Sequence, residues 1–156
     1  MPFETGNFVS NLTGVKEEKT FCNRPENLKA SKDLKFLASR TNLTALEVLG
    51  KIRFTSAGKP IGDFLPVPVD MSSGLVKFPM NEIDVNNQSQ YVAVVLYNGE
   101  QAEDVLLFNA TIWSQSHGLF SPFKTFAKTG EYGVKLNNKE KLSEYKFGNV
   151  LKDYLN

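Results

Sequence analysis

The chain has 156 residues, with 18 lysines and arginines against 17 aspartates and glutamates, for a formal charge of +1. That length suits one domain able to bury roughly two-thirds of the surface its unfolded form exposes, and the balanced charge argues against a protein held on duplex DNA by phosphate neutralisation alone. An apolar share of 41% and a charged share of 22% lie near the globular average, which points away from disordered and membrane classes.

The opening residues, MPFETGNFVSNLTG, show no basic start followed by an apolar run and no cleavage pattern. No apolar stretch approaches the ~18 residues of a membrane span. The expectation is a soluble chain made inside a cell and free of membrane contact. Cys22 is the single cysteine, so it reads as an ordinary thiol outside any internal disulfide. The Asn-X-Ser/Thr triplets at Asn11, Asn42, Asn87 and Asn109 read as by-products of an asparagine-rich composition.

Residues 1–30 carry Phe3, Phe8, Val9 and Phe21 among polar residues, with Gly6, Gly14 and Pro25 and no sustained period. They are expected to form an extended arm that docks on its own domain or on a neighbour. Residues 31–156 are expected to be one β-rich domain with a C-terminal extension. Residues 31–40 suit a short helix capped by Ser31, with Leu34 and Leu37 on one side; a strand is the alternative.

From Ala45 the period changes to two. Leu46, Val48, Ile52 and Phe54 alternate with Glu47, Lys51 and Arg53, as a half-buried strand requires. Ser56–Pro60 forms a turn, with a hairpin following, because glycine supplies positive φ and proline cannot continue a central ladder. Pro66 and Pro68 fall on alternate positions of residues 64–69, so their missing N–H groups point to one side and predict an edge strand.

Asp70–Gly74 reads as a second turn, followed by a short strand with Val76, Phe78 and Met80 facing one way. Residues 91–97, YVAVVLY, are apolar on both faces, which marks a central strand. Leu106, Phe108, Ala110 and Ile112 share a face of a further strand over 105–113, and these two runs are expected to form the heart of the core. Beyond Ser114 the chain reads as a loop, a single helical turn over 123–127, a short strand over 132–136 and two short helices that dock on the body. Several short strands between Gly/Pro/Asn turns imply an antiparallel β-sandwich or a small barrel.

Candidate chemistry is sparse. One histidine and one cysteine 95 positions apart do not make a His/Cys metal site, and Glu82-Ile83-Asp84 lacks the partners of a calcium loop. His117 lies beside Ser114, Ser116 and Ser121, yet neighbours in sequence rarely have the geometry of a nucleophile and its base. A loop imidazole making an ordinary hydrogen bond is the expected role. Gly58-Lys59 lacks the rest of a phosphate-cradling loop. The expectation is a non-enzymatic protein without catalytic residue, metal or cofactor.

The stretch GKIRFTSAGKPI…VPVDMSSGLVKFPMNEIDV…YVAVVLYNGE…VLLFNATIW resembles, in strand order and in its Asp-X-X-X-Gly turn, the immunoglobulin-like domains of bacteriophage virion proteins, including baseplate upper proteins and head-decoration proteins. The resemblance covers under half of the chain. It implies an Ig-like β-sandwich in a structural or assembly protein, made in the host cytoplasm and carried in the virion, with other virion proteins and its own copies as partners. Phe3, Phe8 and Phe21 are then the expected assembly contacts, as aromatic anchors that fill pockets on a partner.

A second resemblance points elsewhere. Residues 49–61 look like the first hairpin of bacterial single-stranded-DNA-binding proteins of the OB-fold, and residues 90–97 are similar to their later aromatic-bearing strand. That likeness implies a cytoplasmic protein in which Phe54, Tyr91 and Tyr97 stack on bases while Lys51, Arg53 and Lys59 meet phosphates. The near-neutral charge, a shorter segment between the hairpin strands and a C-terminus ending LKDYLN rather than in an acidic tail depart from it.

Overall fold

The computed structural model describes residues 20–156, which form a mainly β body of two sheets with short helices. The larger sheet has the order β1-β2-β3-β5-β6, from β1 (Thr44–Val48), β2 (Lys51–Ser56), β3 (Lys59–Asp70), β5 (Gln90–Asn98) and β6 (Gln101–Asn109). The smaller has the order β4-β8-β7, from β4 (Leu75–Pro79), β8 (Glu131–Lys135) and β7 (Phe123–Phe126). Both sheets are open, so no closed barrel is present among the described residues. One side of the larger sheet carries the smaller sheet; the other carries α1 (Pro25–Phe36) and the C-terminal α3 (Phe147–Val150), while α2 (Lys139–Leu142) closes an end of the inter-sheet core.

β5 joins these layers. Val92 and Val94 point into the core between the sheets, where they meet Leu65, Val67, Phe78, Leu106 and Phe108. Ala93, Val95 and Tyr97 point the other way, into a second core with Ile52, Phe54, Ala30, Leu34 and Phe147. The three valines, Val92, Val94 and Val95, and Ala93 are fully buried, as a strand apolar on both faces requires. β6 pairs with it antiparallel and ends at Asn109; residues 110–114 turn into a 3-10 helix that carries Trp113 into the inter-sheet core.

Three expectations about strands are corrected. The alternating run from Ala45 is two strands, because Leu49 (φ +52°) and Gly50 (φ +81°) form a tight hairpin turn between β1 and β2. A side chain on Gly50 would strike Cys22, since its Cβ would lie 2.7 Å from Sγ. Within residues 123–127, expected as a helical turn, Phe123–Phe126 form β7, held by antiparallel pairing to β8. The antiparallel arrangement is broken at one place: β3 and β5 run parallel, because the chain crosses to the smaller sheet through β4 between them.

The strand with alternate prolines is internal, and the reason it tolerates them is local. β3 pairs with β2 only as far as Phe64, whereas its pairing with β5 runs from Asp63 to Asp70. The odd-numbered residues face β5, as the bonds from the Asp63 and Met71 N–H groups show. Pro66 and Pro68 therefore face the side where β2 has ended and α1 packs instead.

The helix also starts earlier than the sequence suggests. α1 begins at Pro25, with proline in the first turn, and runs across residue 30, where the arm was expected to end. Ser31 lies mid-helix on the buried face, so it is no cap; its hydroxyl and the Asn27 amide nitrogen meet no hydrogen-bond partner among the described residues. Leu34 is fully buried and Leu37 packs beside it, as expected. The sign of one substitution separates the two roles. At an N-cap, Ser31→Ala would cost about 1 kcal/mol; here it removes an unpaired hydroxyl and improves helix propensity, so urea unfolding should show a gain of about 0.5–2 kcal/mol.

Candidate interaction surface

The apolar residues that the fold leaves outside are concentrated at β1 and at one loop. β1 pairs on one side with β2, and its outer edge meets no strand among the described residues. The C-terminal residues bond to its approach, with the Asn42 N–H donating to the Tyr154 carbonyl at 2.9 Å and the Asn156 N–H to the Arg40 carbonyl at 3.1 Å. That pairing leaves Thr44–Val48 open.

Residues opposite one another in the hairpin share a face. Ala45 and Glu47 lie opposite Phe54 and Ile52, on the helix side, whereas Leu46 lies opposite Arg53, on the face that the smaller sheet does not reach. Leu46 is 62% exposed and Leu49, at the turn, 94%. Lys35 of α1 pairs with Glu47 at 3.7 Å, on the helix side of this edge. Edge strands are ordinarily blunted by lysine, proline or bulges. β1, TALEV, carries only Glu47.

The second apolar feature is Leu119-Phe120, 82% and 86% exposed, in the loop between Trp113 and β7. The loop is held from both ends. His117 Nε2 lies 2.6 Å from the Ile112 carbonyl, which only accepts, so Nε2 carries the proton and donates. Lys124 Nζ donates to the Leu119 carbonyl at 2.9 Å. Ser114 donates its hydroxyl to the Thr111 carbonyl, and Ser121 accepts from the Phe123 N–H. Neither serine is turned to the imidazole, and His117 makes the ordinary loop hydrogen bond expected of it.

The residues singled out in the sequence lie apart. Phe3 and Phe8 fall outside the described residues. Phe21 is buried in the inter-sheet core of its own domain. Phe54 is fully buried beneath the helices, edge-on to Phe64 and Phe147. Tyr97 is 8% exposed; its hydroxyl donates to Asp33 at 2.5 Å while the Lys29 ammonium lies 4.9 Å from its ring centre. Burial, reinforced by that carboxylate, holds the Tyr97 hydroxyl well above the ordinary phenol range. Tyr91 is half-buried and stacks on Phe64 with ring centres 4.6 Å apart.

The cations occupy the opposite face. Lys51 and Arg53 alternate with Ile52 and Phe54, so they project away from the helices. The Arg53 guanidinium is engaged by Asp63 through bonds of 2.8 and 3.1 Å, and Lys59 lies exposed at the far end of the hairpin. The structure therefore brings together no platform of stacking rings flanked by these cations. Leu49 and the Leu119-Phe120 pair were not singled out in the sequence, and Leu46, expected on the apolar side with Ile52 and Phe54, lies on the opposite face because the turn at Leu49-Gly50 resets the alternation. Leu49-Gly50, between two alternating runs, was the available hairpin signal.

Cys22 sits against Gly50, with its thiol directed at Glu82 Oε1 at 3.4 Å. Burial first, and the Glu82 carboxylate second, push the thiol up to about 11. The folded state thus holds the proton more tightly than the unfolded chain. Its contribution to stability is complete below the ordinary thiol value of 9.0 and is lost as pH rises from there towards about 11. Alkylation with iodoacetamide near neutral pH should run about a hundredfold slower than for a free thiol, and Glu82→Gln should recover part of the rate.

Among the described residues no three His, Cys, Asp or Glu side chains gather as a metal site, and no helix is long and apolar enough to cross a membrane. Comparison with protein-family models, with curated proteins and with solved structures finds no match to this chain.

Proposed function

We propose that this chain is a non-enzymatic structural protein of a phage-like particle that assembles through protein–protein contacts with its own copies and with other virion proteins. The observation that carries the reading is the open edge of β1: an unblunted strand with Leu46 beside it and Leu49 at its turn is a template for a further chain. Leu119-Phe120, on a separate loop, supplies a second and unlike apolar contact. Two unlike surfaces favour heterologous contacts, which close into rings or stack. Phe3 and Phe8, outside the described residues, are further candidate aromatic anchors, while Phe21 belongs to the domain's own core. Two stacked sheets are in keeping with the sandwich that the virion resemblance implies; the parallel β3–β5 pair and the helical layer depart from the Ig-like pattern.

Leu49 makes the reading testable, because its backbone conformation suits asparagine better than leucine. Leu49→Asn should raise the stability of the isolated domain by about 0.5–1 kcal/mol. Light scattering on a sizing column should show the unaltered chain as an oligomer, and Leu46→Lys with Leu49→Asn should shift it towards the monomer without loss of thermal stability. A strict monomer at every concentration would sink the proposal.

A further inference from the structure

At the end of the inter-sheet core away from β1, the layers fail to close. β5 and β6 project their inward-facing Leu96 and Leu106 beyond the smaller sheet, and the cover there is the segment after β8 and the short helix α2. Between them is a cavity of about 450 Å³ walled by Met71, Leu96, Leu106, Leu136 and Leu142. A space of this size lies within the roughly 300–1,000 Å³ of small-molecule sites, which are apolar with a few polar groups fixing orientation.

The mouth has a definite polarity. It is formed by Asp104, Glu140, Ser143 and Lys146. Lys146 is already committed to Asp104, with Nζ 3.4 Å from Oδ2. Ser143 donates its only hydroxyl proton to the Glu140 carbonyl at 2.9 Å, so towards a ligand its oxygen accepts. Two carboxylates and one hydroxyl oxygen make the mouth rich in acceptors, and its one cation is paired. A carboxylate ligand would have to compete with Asp104 for Lys146 and would face Glu140. An ammonium group meets Glu140 and the Ser143 oxygen, while Lys146, the one cation of the mouth, is neutralised by Asp104.

We infer that this cavity is a binding site for a small aliphatic ammonium compound, with the apolar chain against Met71 and Leu96 and the charged head at Glu140 and Ser143. The site lies on β5, β6 and α2, at the opposite side of the larger sheet from β1, so it is independent of the open β1 edge.

The test is titration calorimetry of the full chain with octylammonium and with octanoate, both below their aggregation concentrations. Octylammonium should bind saturably with one equivalent, about tenfold or more tighter than octanoate, which corresponds to about 1.4 kcal/mol. Met71→Trp, at the turn before β4, should fill the cavity and abolish binding, with its fold checked by far-UV circular dichroism. Glu140→Gln should lower the affinity for octylammonium while sparing octanoate. Absence of saturable binding, equal or tighter binding of octanoate, or unchanged binding in a folded Met71→Trp protein would each overturn the inference.

Discussion

Burial of β5 on both faces is the constraint from which the other layers follow. Val92 and Val94 need one cover, and Ala93, Val95 and Tyr97 another, so a single sheet with one solvated face was never available to this chain. Each fully buried valine contributes about 1.5–3 kcal/mol relative to leaving it in water. The smaller sheet supplies the first cover through Phe78, Phe123 and Val134. Leu34 of α1, together with Phe147 and Leu151 near the C-terminus, supplies the second. The parallel pairing with β3 belongs to the same solution, because the intervening chain has to leave the larger sheet and return, and β4 is built on that excursion.

Polar groups then determine how the helical layer is held. Tyr97 takes part in the apolar packing with its ring and donates its hydroxyl to Asp33, while Lys29 bonds the same carboxylate oxygen at 3.2 Å one helical turn earlier. The helix is thus tied to β5 by a hydrogen bond as well as by Leu34. It also occupies the side of β3 that β2 vacates, where two prolines have removed donors that would have had no strand to meet. The prolines and the helix are two parts of one arrangement.

Where the covers end, the molecule presents its surfaces. The smaller sheet is centred on β3, β5 and β6, which leaves that face of the β1–β2 hairpin uncovered, with Leu46 and Leu49 in water. At the other side of the sheet the covers meet imperfectly, and the space between Leu96, Leu106 and α2 is the result. An open strand edge and an apolar cavity differ as surfaces, the first suited to another backbone and the second to a small molecule. Both lie where the smaller sheet stops short of covering one face of the five-stranded sheet.

The β character of the body, the two-faced burial of residues 91–97, the turn at Ala57-Gly58 and the short docking helices at the C-terminus were legible in the sequence, because periodicity and turn chemistry act over a few residues. The surface was less legible. Leu46 and Leu49 have the hydropathy of core residues, and Phe54 and Tyr97 could equally have served as stacking rings. Ser31 has the chemistry of a cap, and only the earlier start at Pro25 places it mid-helix. By itself the sequence determined which segments alternate and which must be covered on both sides. Tertiary structure alone decided which sheet each strand joined, that β3 and β5 run parallel, which rings were sealed beneath helices and which edge stayed open. Those outcomes depend on pairings between residues far apart in the chain, for which local spacing carries no signal.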